Sequence, residues 1–189
     1  MATFWTSDQH IDHVNIIRYC ARPFTDVHHM YETIIARYNE AVGVNDLVYH
    51  LGDVAMNEKH VASFLARLNG RKILIPGNHD KCHPCHKDYD RMRRRYLAHG
   101  FEDIILQATY EPLDVLMCHL PYSGDSKDYR ERFPAFRPKN EGRPLLCGHI
   151  HEKWLERDRM LNVGVDMHDF RPVTEERVRT FVASLAKQV

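Results

Sequence analysis

The chain has 189 residues, of which 43% are hydrophobic and 28% charged, with 26 Lys and Arg against 26 Asp and Glu. That length holds one domain with a sizeable core, and the ordinary composition excludes a fibrous or low-complexity protein. The charge balance excludes a dedicated non-specific nucleic-acid binder, which needs a basic excess, so stable nucleic-acid binding is not expected.

Residues 3–7, TFWTS, read as a strand running into Asp8. Residues 26–43 read as a helix: Asp26 caps it, Met30, Ile34 and Tyr38 recur at i+4, and Gly43 ends it. A second strand spans 46–53 and closes on Gly52-Asp53. Val61, Phe64, Leu65 and Leu68 share one face of a helix over 57–70. A third strand over 71–80 runs into a turn. A helix over 87–99 precedes strands over 103–110 and 113–118, the latter ending at Cys118-His119. Residues 121–143, rich in Pro, Gly and charge, read as a long loop. Strands return near 145–148 and 159–165. A helix over 174–188 follows, capped by Thr174, with Glu175 and Glu176 in the turn where the dipole favours them. Val178, Phe181, Val182 and Leu185 form its buried stripe. Strands alternate with helices early and cluster late, which implies α/β layers around one or two packed sheets. Nothing marks an internal boundary, so one domain over 1–189 is expected.

Ligands in such folds bind at the carboxyl ends of strands. Five motifs fall there: Asp8 and His10 in SDQH, Asp53 in GDV, Asn78, His79 and Asp80 in PGNHD, His119 in CHLP, and His149 and His151 in GHIH. Each is weak alone, and GHIH by itself reads as readily as two surface histidines in a turn. In an extended chain residues 149 and 151 point to one face, so the two imidazoles are expected to project together from a strand end. Asp, Asn and His supply oxygen and nitrogen ligands, which suit Mn²⁺, Fe, Zn²⁺ or Co²⁺ over a closed Cys-zinc site. Seven candidate ligands are too many for one ion and fit two that share a carboxylate. Two ions about 3.5–4 Å apart clamp a phosphate and lower the pKa of a water between them. Glycines at 52, 77 and 148 let the backbone turn tightly beside them.

These motifs resemble the calcineurin-like metallophosphoesterases, whose signature is D-x-H, G-D, G-N-H-D or G-N-H-E, a lone H, then G-H-x-H. Here it reads D-Q-H, G-D-V, G-N-H-D, C-H-L and G-H-I-H across residues 8–151. NVGVD (162–166) also resembles the strand that follows the last motif in many small members. The resemblance implies a two-sheet β-sandwich flanked by helices. It implies that Asp8, His10 and His151 hold one metal, Asn78, His119 and His149 the other, and Asp53 both. It implies two divalent ions, Mn²⁺ foremost, with Fe, Zn²⁺, Co²⁺ or Ni²⁺ as other occupants. It implies a bridging hydroxide that attacks phosphorus in line with the leaving oxygen. His79 would stand near the leaving group as general acid or phosphate contact, oriented by Asp80; general-acid help is worth about 10²–10⁴-fold. Many members carry a second Asp shortly after G-D, where this chain has Val54, Ala55 and Met56; the ligand set is left intact.

Weaker signals keep two readings each. In residues 10–24, His13, Asn15 and Arg18 are placed to reach a phosphate or base, or else Ile16, Ile17 and Tyr19 simply pack a short helix. KCHPCH (81–86) is half of a zinc site through Cys82, His83, Cys85 and His86, or a loop with reactive thiols. Arg91, Arg94 and Arg95 line a solvated helix face or grip a nucleotide phosphate. The loop 121–143 carries six Lys and Arg against four Asp and Glu, with Tyr122, Tyr129, Phe133 and Phe136. It covers the site and stacks a base, or packs on its own aromatics. Five cysteines, an odd number, form no disulfide framework.

No apolar run approaches the roughly 20 residues of a membrane span, and no basic, apolar leader precedes the first strand; the expected location is the cytoplasm. The leading functional expectation is a dinuclear phosphoesterase acting on phosphodiesters such as nucleotides, cyclic nucleotides or nucleic-acid ends, since no cap domain covers the motifs. A phosphomonoesterase is the alternative. A catalytically silent protein-binding scaffold of the same fold ranks below, because every ligand and His79 are present. A structural metal protein fails on ligand type. No long apolar stripe is left over to mark a subunit interface, and the oligomeric state stays open.

Overall fold

The computed structural model describes residues 1–125 and 132–186. Its strands are β1 (Thr3–Thr6), β2 (Leu47–His50), β3 (Arg71–Leu74), β4 (Asp103–Ile104), β5 (Gln107–Tyr110), β6 (Val115–Cys118), β7 (Leu145–Cys147), β8 (Glu156–Arg157), β9 (Met160–Asn162) and β10 (Val173–Thr174). Its α-helices are α1 (Val14–Tyr19), α2 (Val27–Ala41), α3 (Val61–Leu65), α4 (Tyr89–Ala98) and α5 (Glu175–Ala186). The strands form two five-stranded sheets, ordered β10-β1-β2-β3-β4 and β5-β6-β7-β9-β8.

Strand alternation builds the layers. Phe4, Val48 and Leu74 face the helices, packing with Ile34, Tyr38, Phe64 and Tyr96. Their neighbours Trp5 and Ile75 face the other sheet, where Met117, Leu146 and Leu161 meet them and α5 adds Val178, Phe181 and Leu185. Trp5 Nε1 donates to the Met117 sulfur across that seam at 3.0 Å. On the far face of the second sheet, Leu145, Cys147 and Met160 pack under Tyr122, Phe133, Phe136 and Trp154. This is the α/β sandwich with flanking helices that the motifs implied.

Local chemistry accounts for the helix ends. Asp26 Oδ1 accepts from His29 N at 2.8 Å and caps α2. The helix stops when Val42 turns extended, one residue before the expected glycine. Thr174 Oγ1 accepts from Arg177 N at the start of α5.

Two expectations change and one of two open readings is settled. The single strand over 103–110 is two: β4 pairs β3 in one sheet and β5 pairs β6 in the other. The chain crosses between sheets at residues 105 and 106, which a pattern of alternating side chains does not reveal. The helix over 57–70 is a 3₁₀ turn at Glu58–His60 followed by the short α3; its apolar spacing survives a tightened turn. The segment after His10 does form a short helix, α1, burying Ile16. Tyr129 and the last residues of the expected C-terminal helix lie outside the described residues.

Candidate metal centre

β1, β2 and β3 run parallel in one sheet, and β6, β7 and β9 in the other. Their carboxyl ends therefore deliver Asp8, Asp53, Asn78, His119 and the His149–His151 turn. Asp8, His10 and His151 present ligand atoms within 4.8 Å of one another, and so do Asp53, His119 and His149. Asp53 links the groups: its Oδ2 is 3.5 Å from His10 Nε2 and 3.5 Å from His119 Nε2.

The backbone is strained where the candidate ligands sit. Asp8, His10, Asp53, His149 and His151 all hold φ between 50° and 72°, a region that costs a non-glycine residue about 1–3 kcal/mol. Hydrogen bonds hold it there: Asp8 N to Gly52 O at 3.0 Å, His10 N to Asp53 O at 3.0 Å, and His149 N to Asp8 Oδ2 at 3.0 Å. This corrects the extended reading of GHIH. The turn is left-handed at both histidines, so they part company: His149 joins Asp53 and His119, His151 joins Asp8 and His10, and Ile150 between them is buried.

Two glycines are there for room. A Cβ on Gly77 would meet Asp53 Oδ1 at 2.2 Å and His119 Cε1 at 2.7 Å. A Cβ on Gly148 would meet Ser7 Oγ at 2.0 Å and Asp8 Oδ2 at 2.4 Å.

Asp80 does not orient His79 as expected. Its buried carboxylate accepts the backbone N–H of Gly77 at 2.8 Å, Asp53 at 2.8 Å and Val54 at 3.2 Å. It therefore ties the GDV turn to the PGN turn. Burial and the Asp53 charge push Asp80 up to about 7, while those N–H donors pull it down. The backbone N–H of half-buried His79 donates to Asp53 Oδ1 at 2.9 Å, and its ring meets His10 edge-on.

Behind the histidines stand partners that sequence reasoning missed. His151 Nδ1 lies 3.3 Å from Asp166 Oδ2. Arg22 grips that carboxylate with Nε at 2.7 Å and Nη2 at 2.8 Å, and also donates to the carbonyls of Asp8 and Gln9. His149 Nε2 lies 3.2 Å from Asp125 Oδ2, which Arg137 Nη2 approaches at 2.5 Å. His119 Nδ1 lies 2.6 Å from Leu51 O. Each fixes an imidazole's orientation, as the outer partners of metal-bound histidines do. Asp166 sits in the NVGVD stretch already singled out, but its arginine is 144 residues away.

The residues fit a metal. His10 Nε2, His119 Nε2 and Asn78 Oδ1 are buried without a hydrogen-bond partner among the described residues; unpaired buried polar atoms of this kind call for a ligand. The donors are the oxygens and nitrogens that divalent transition ions take. Burial works to raise Asp8 and Asp53, but the surrounding histidines outweigh it and hold both carboxyls far below their usual range. Burial works to lower His119, and the Asp53 charge wins, raising it to about 9. Cys20 also lies near His151 and Asp166, but Arg22 already occupies both Asp166 oxygens, and burial pushes the Cys20 thiol up.

A cleft of about 350 Å³ opens beside this centre, with His10, His79 and His151 among its lining. His13 lines it, and burial and nearby His10 press its pKa down to about 4, so it is an uncharged ring at neutral pH. Asn15 and Arg18 are exposed on α1 and do not line the cleft. Cys82 and Cys85 join no metal-ligand group among the described residues. Burial raises both thiols, against the expected reactive thiolates. Arg91 pairs with Asp88 and Arg95 with Glu58 on an exposed face. The described part of the 121–143 loop both packs on its aromatics and reaches the centre: Phe133 lies 6.2 Å from the His149 ring.

A sequence profile described as the calcineurin-like phosphoesterase superfamily domain matches residues 1–174. The gene 66 protein of Mycobacterium phage D29 is 34% identical, covering 94% of this chain and 95% of its own. An uncharacterized protein of Methanocaldococcus jannaschii is 45% identical over 89% of this chain and 84% of its own. A crystal structure of a protein of unknown function from Aquifex aeolicus superposes with a TM-score of 0.70, at 24% identity, over 95% of this chain and 98% of that one; at that identity it attests the fold. Among the described residues no helix is long and apolar enough to cross a membrane.

Proposed function

The chain belongs to the calcineurin-like phosphoesterase superfamily, and from that premise we propose that it is a metal-dependent phosphodiesterase of the cytoplasm whose whole chain, 1–189, is one domain. The observation that carries this is Asp53: a single carboxylate oxygen 3.5 Å from a histidine of each ligand group suits two ions held side by side.

Asp8, His10 and His151 would hold one ion, Asn78, His119 and His149 the other, and Asp53 both. Two divalent ions, Mn²⁺ foremost, would supply Lewis acidity toward the phosphoryl oxygens and a water of lowered pKa. Asp80 keeps the Asp53 turn in place through its three N–H contacts. His79 lines the cleft and faces the leaving group as proton donor or phosphate contact. The cleft beside the centre has room for an organic arm of the ester, and we take a diester as the first substrate to test.

The test compares bis-p-nitrophenyl phosphate with p-nitrophenyl phosphate on Mn²⁺-loaded protein, with His79→Ala alongside. Diester turnover that exceeds monoester turnover and falls about 10²–10⁴-fold in His79→Ala supports the proposal. Faster monoester turnover makes the protein a phosphatase instead.

A further inference from the structure

The cleft beside the metal centre is lined by His10, His79 and His151 of the centre, by His13, Ile16, Tyr19 and Cys20 of the α1 segment, and by Glu152 and Lys153. Ile16 is buried and anchors α1 to the core. Tyr19 is 71% exposed, an aromatic ring held at the rim. It meets His13 edge-to-face with centroids 6.1 Å apart, and His13 meets His10 at 5.4 Å. A row of rings thus leads from the ligand His10 to the exposed Tyr19. The volume, about 350 Å³, falls within the roughly 300–1,000 Å³ of small-molecule sites.

We infer that this cleft seats the organic arm of the substrate as a flat aromatic ring, such as a nucleobase, packed on Tyr19 while the phosphate lies at the metal centre. The inference rests on the phosphoesterase reading. Burying a ring against the exposed Tyr19 removes apolar surface from water, and stacking on an aromatic side chain tolerates any base because every base has a π-face. No cation of the cleft is needed for it: the Lys153 ammonium donates to Asp125 O at 2.5 Å.

The experiment uses three p-nitrophenyl phosphodiesters with one leaving group, whose second alcohol is methanol, phenol or the 5′-hydroxyl of thymidine. For Mn²⁺-loaded protein, Tyr19→Ala is expected to lower kcat/KM about tenfold for the phenyl and thymidine esters, through KM, and to leave the methyl ester unchanged. Tyr19→Phe keeps the wild-type values. A Tyr19→Ala effect absent from all three overturns the inference, and so does an effect equal on all three that persists when the p-nitrophenyl group of the methyl ester is replaced by a non-aromatic leaving group. A loss confined to the thymidine ester narrows the seat to a nucleoside. If none of the diesters turns over, the phosphodiesterase reading fails, and the seat is then judged by calorimetry on the Mn²⁺-loaded protein. Weaker binding of thymidine 5′-monophosphate in Tyr19→Ala, with inorganic phosphate binding unchanged, supports it; equal binding of the nucleotide by both proteins overturns it.

Discussion

Asp166 Oδ2 lies 3.3 Å from His151 Nδ1, and the same carboxylate is clamped by Arg22, whose side chain is fully buried. The pair holds one imidazole in a fixed tautomer and orientation, and Arg22 carries the constraint on to the carbonyls of Asp8 and Gln9. Asp166→Ala is expected to weaken the ion held by Asp8, His10 and His151 by about 10–100-fold. Mn²⁺ titration of the metal-stripped protein reads this directly. Unchanged affinity would show that His151 needs no support from Asp166.

Asp125 serves His149 in the same manner, from the loop that follows His119. Asp125→Ala should weaken the other ion by a similar factor, about 10–100-fold, and leave the first. A titration in which both variants lose the same ion contradicts the assignment of one carboxylate to each group.

Gly148→Ala places a methyl group 2.0 Å from Ser7 Oγ and 2.4 Å from Asp8 Oδ2. Relief requires moving the first ligand. The expected result is a loss of about 1–3 kcal/mol in urea unfolding together with lost metal. A variant with full metal content would mean that the turn can yield without disturbing Asp8.

His50 offers a pH test away from the ligands. It is fully buried, with Nε2 3.4 Å from the Tyr38 hydroxyl, and burial, aided by Lys72, lowers its pKa to about 3. The unfolded chain takes up this proton first, near pH 6.5, so the stability from a neutral His50 is complete above that pH and is lost as pH falls toward 3. Between pH 6.5 and 5 the loss is about 2 kcal/mol. Urea unfolding of the metal-free protein at both values should show this slope reduced in His50→Gln. Identical slopes would mean that His50 is accessible to protons when folded.

The sequence exposed the chemistry of the centre better than its shape. Asp8, Asp53, Asn78, His119 and the histidine pair were readable as candidate ligands because all five motifs carry metal-binding oxygens or nitrogens and all fall at strand ends. The left-handed backbone at Asp8, His10, Asp53, His149 and His151 was not, because non-glycine residues adopt it only when the surrounding contacts impose it; so an extended GHIH was expected. Asp80 looked like a partner for its neighbour His79, yet its carboxylate turns to backbone N–H groups 26 and 27 residues away as well as to Gly77. Arg22 with Asp166, and Arg137 with Asp125, leave no short-range pattern. In the fold, strands alternating with helices early and clustering late pointed to the α/β layers, but the crossover that splits β4 from β5 and the two-residue strands β8 and β10 are too short to carry a period.

The most direct test of the account is a Mn²⁺ titration of metal-stripped protein with bis-p-nitrophenyl phosphate, run for wild type and Asp53→Asn. Activity that is absent without metal, rises as the second ion per chain binds, and is lost in Asp53→Asn is the predicted result. Turnover by the stripped protein, or full activity in Asp53→Asn, would contradict a centre built on that shared carboxylate.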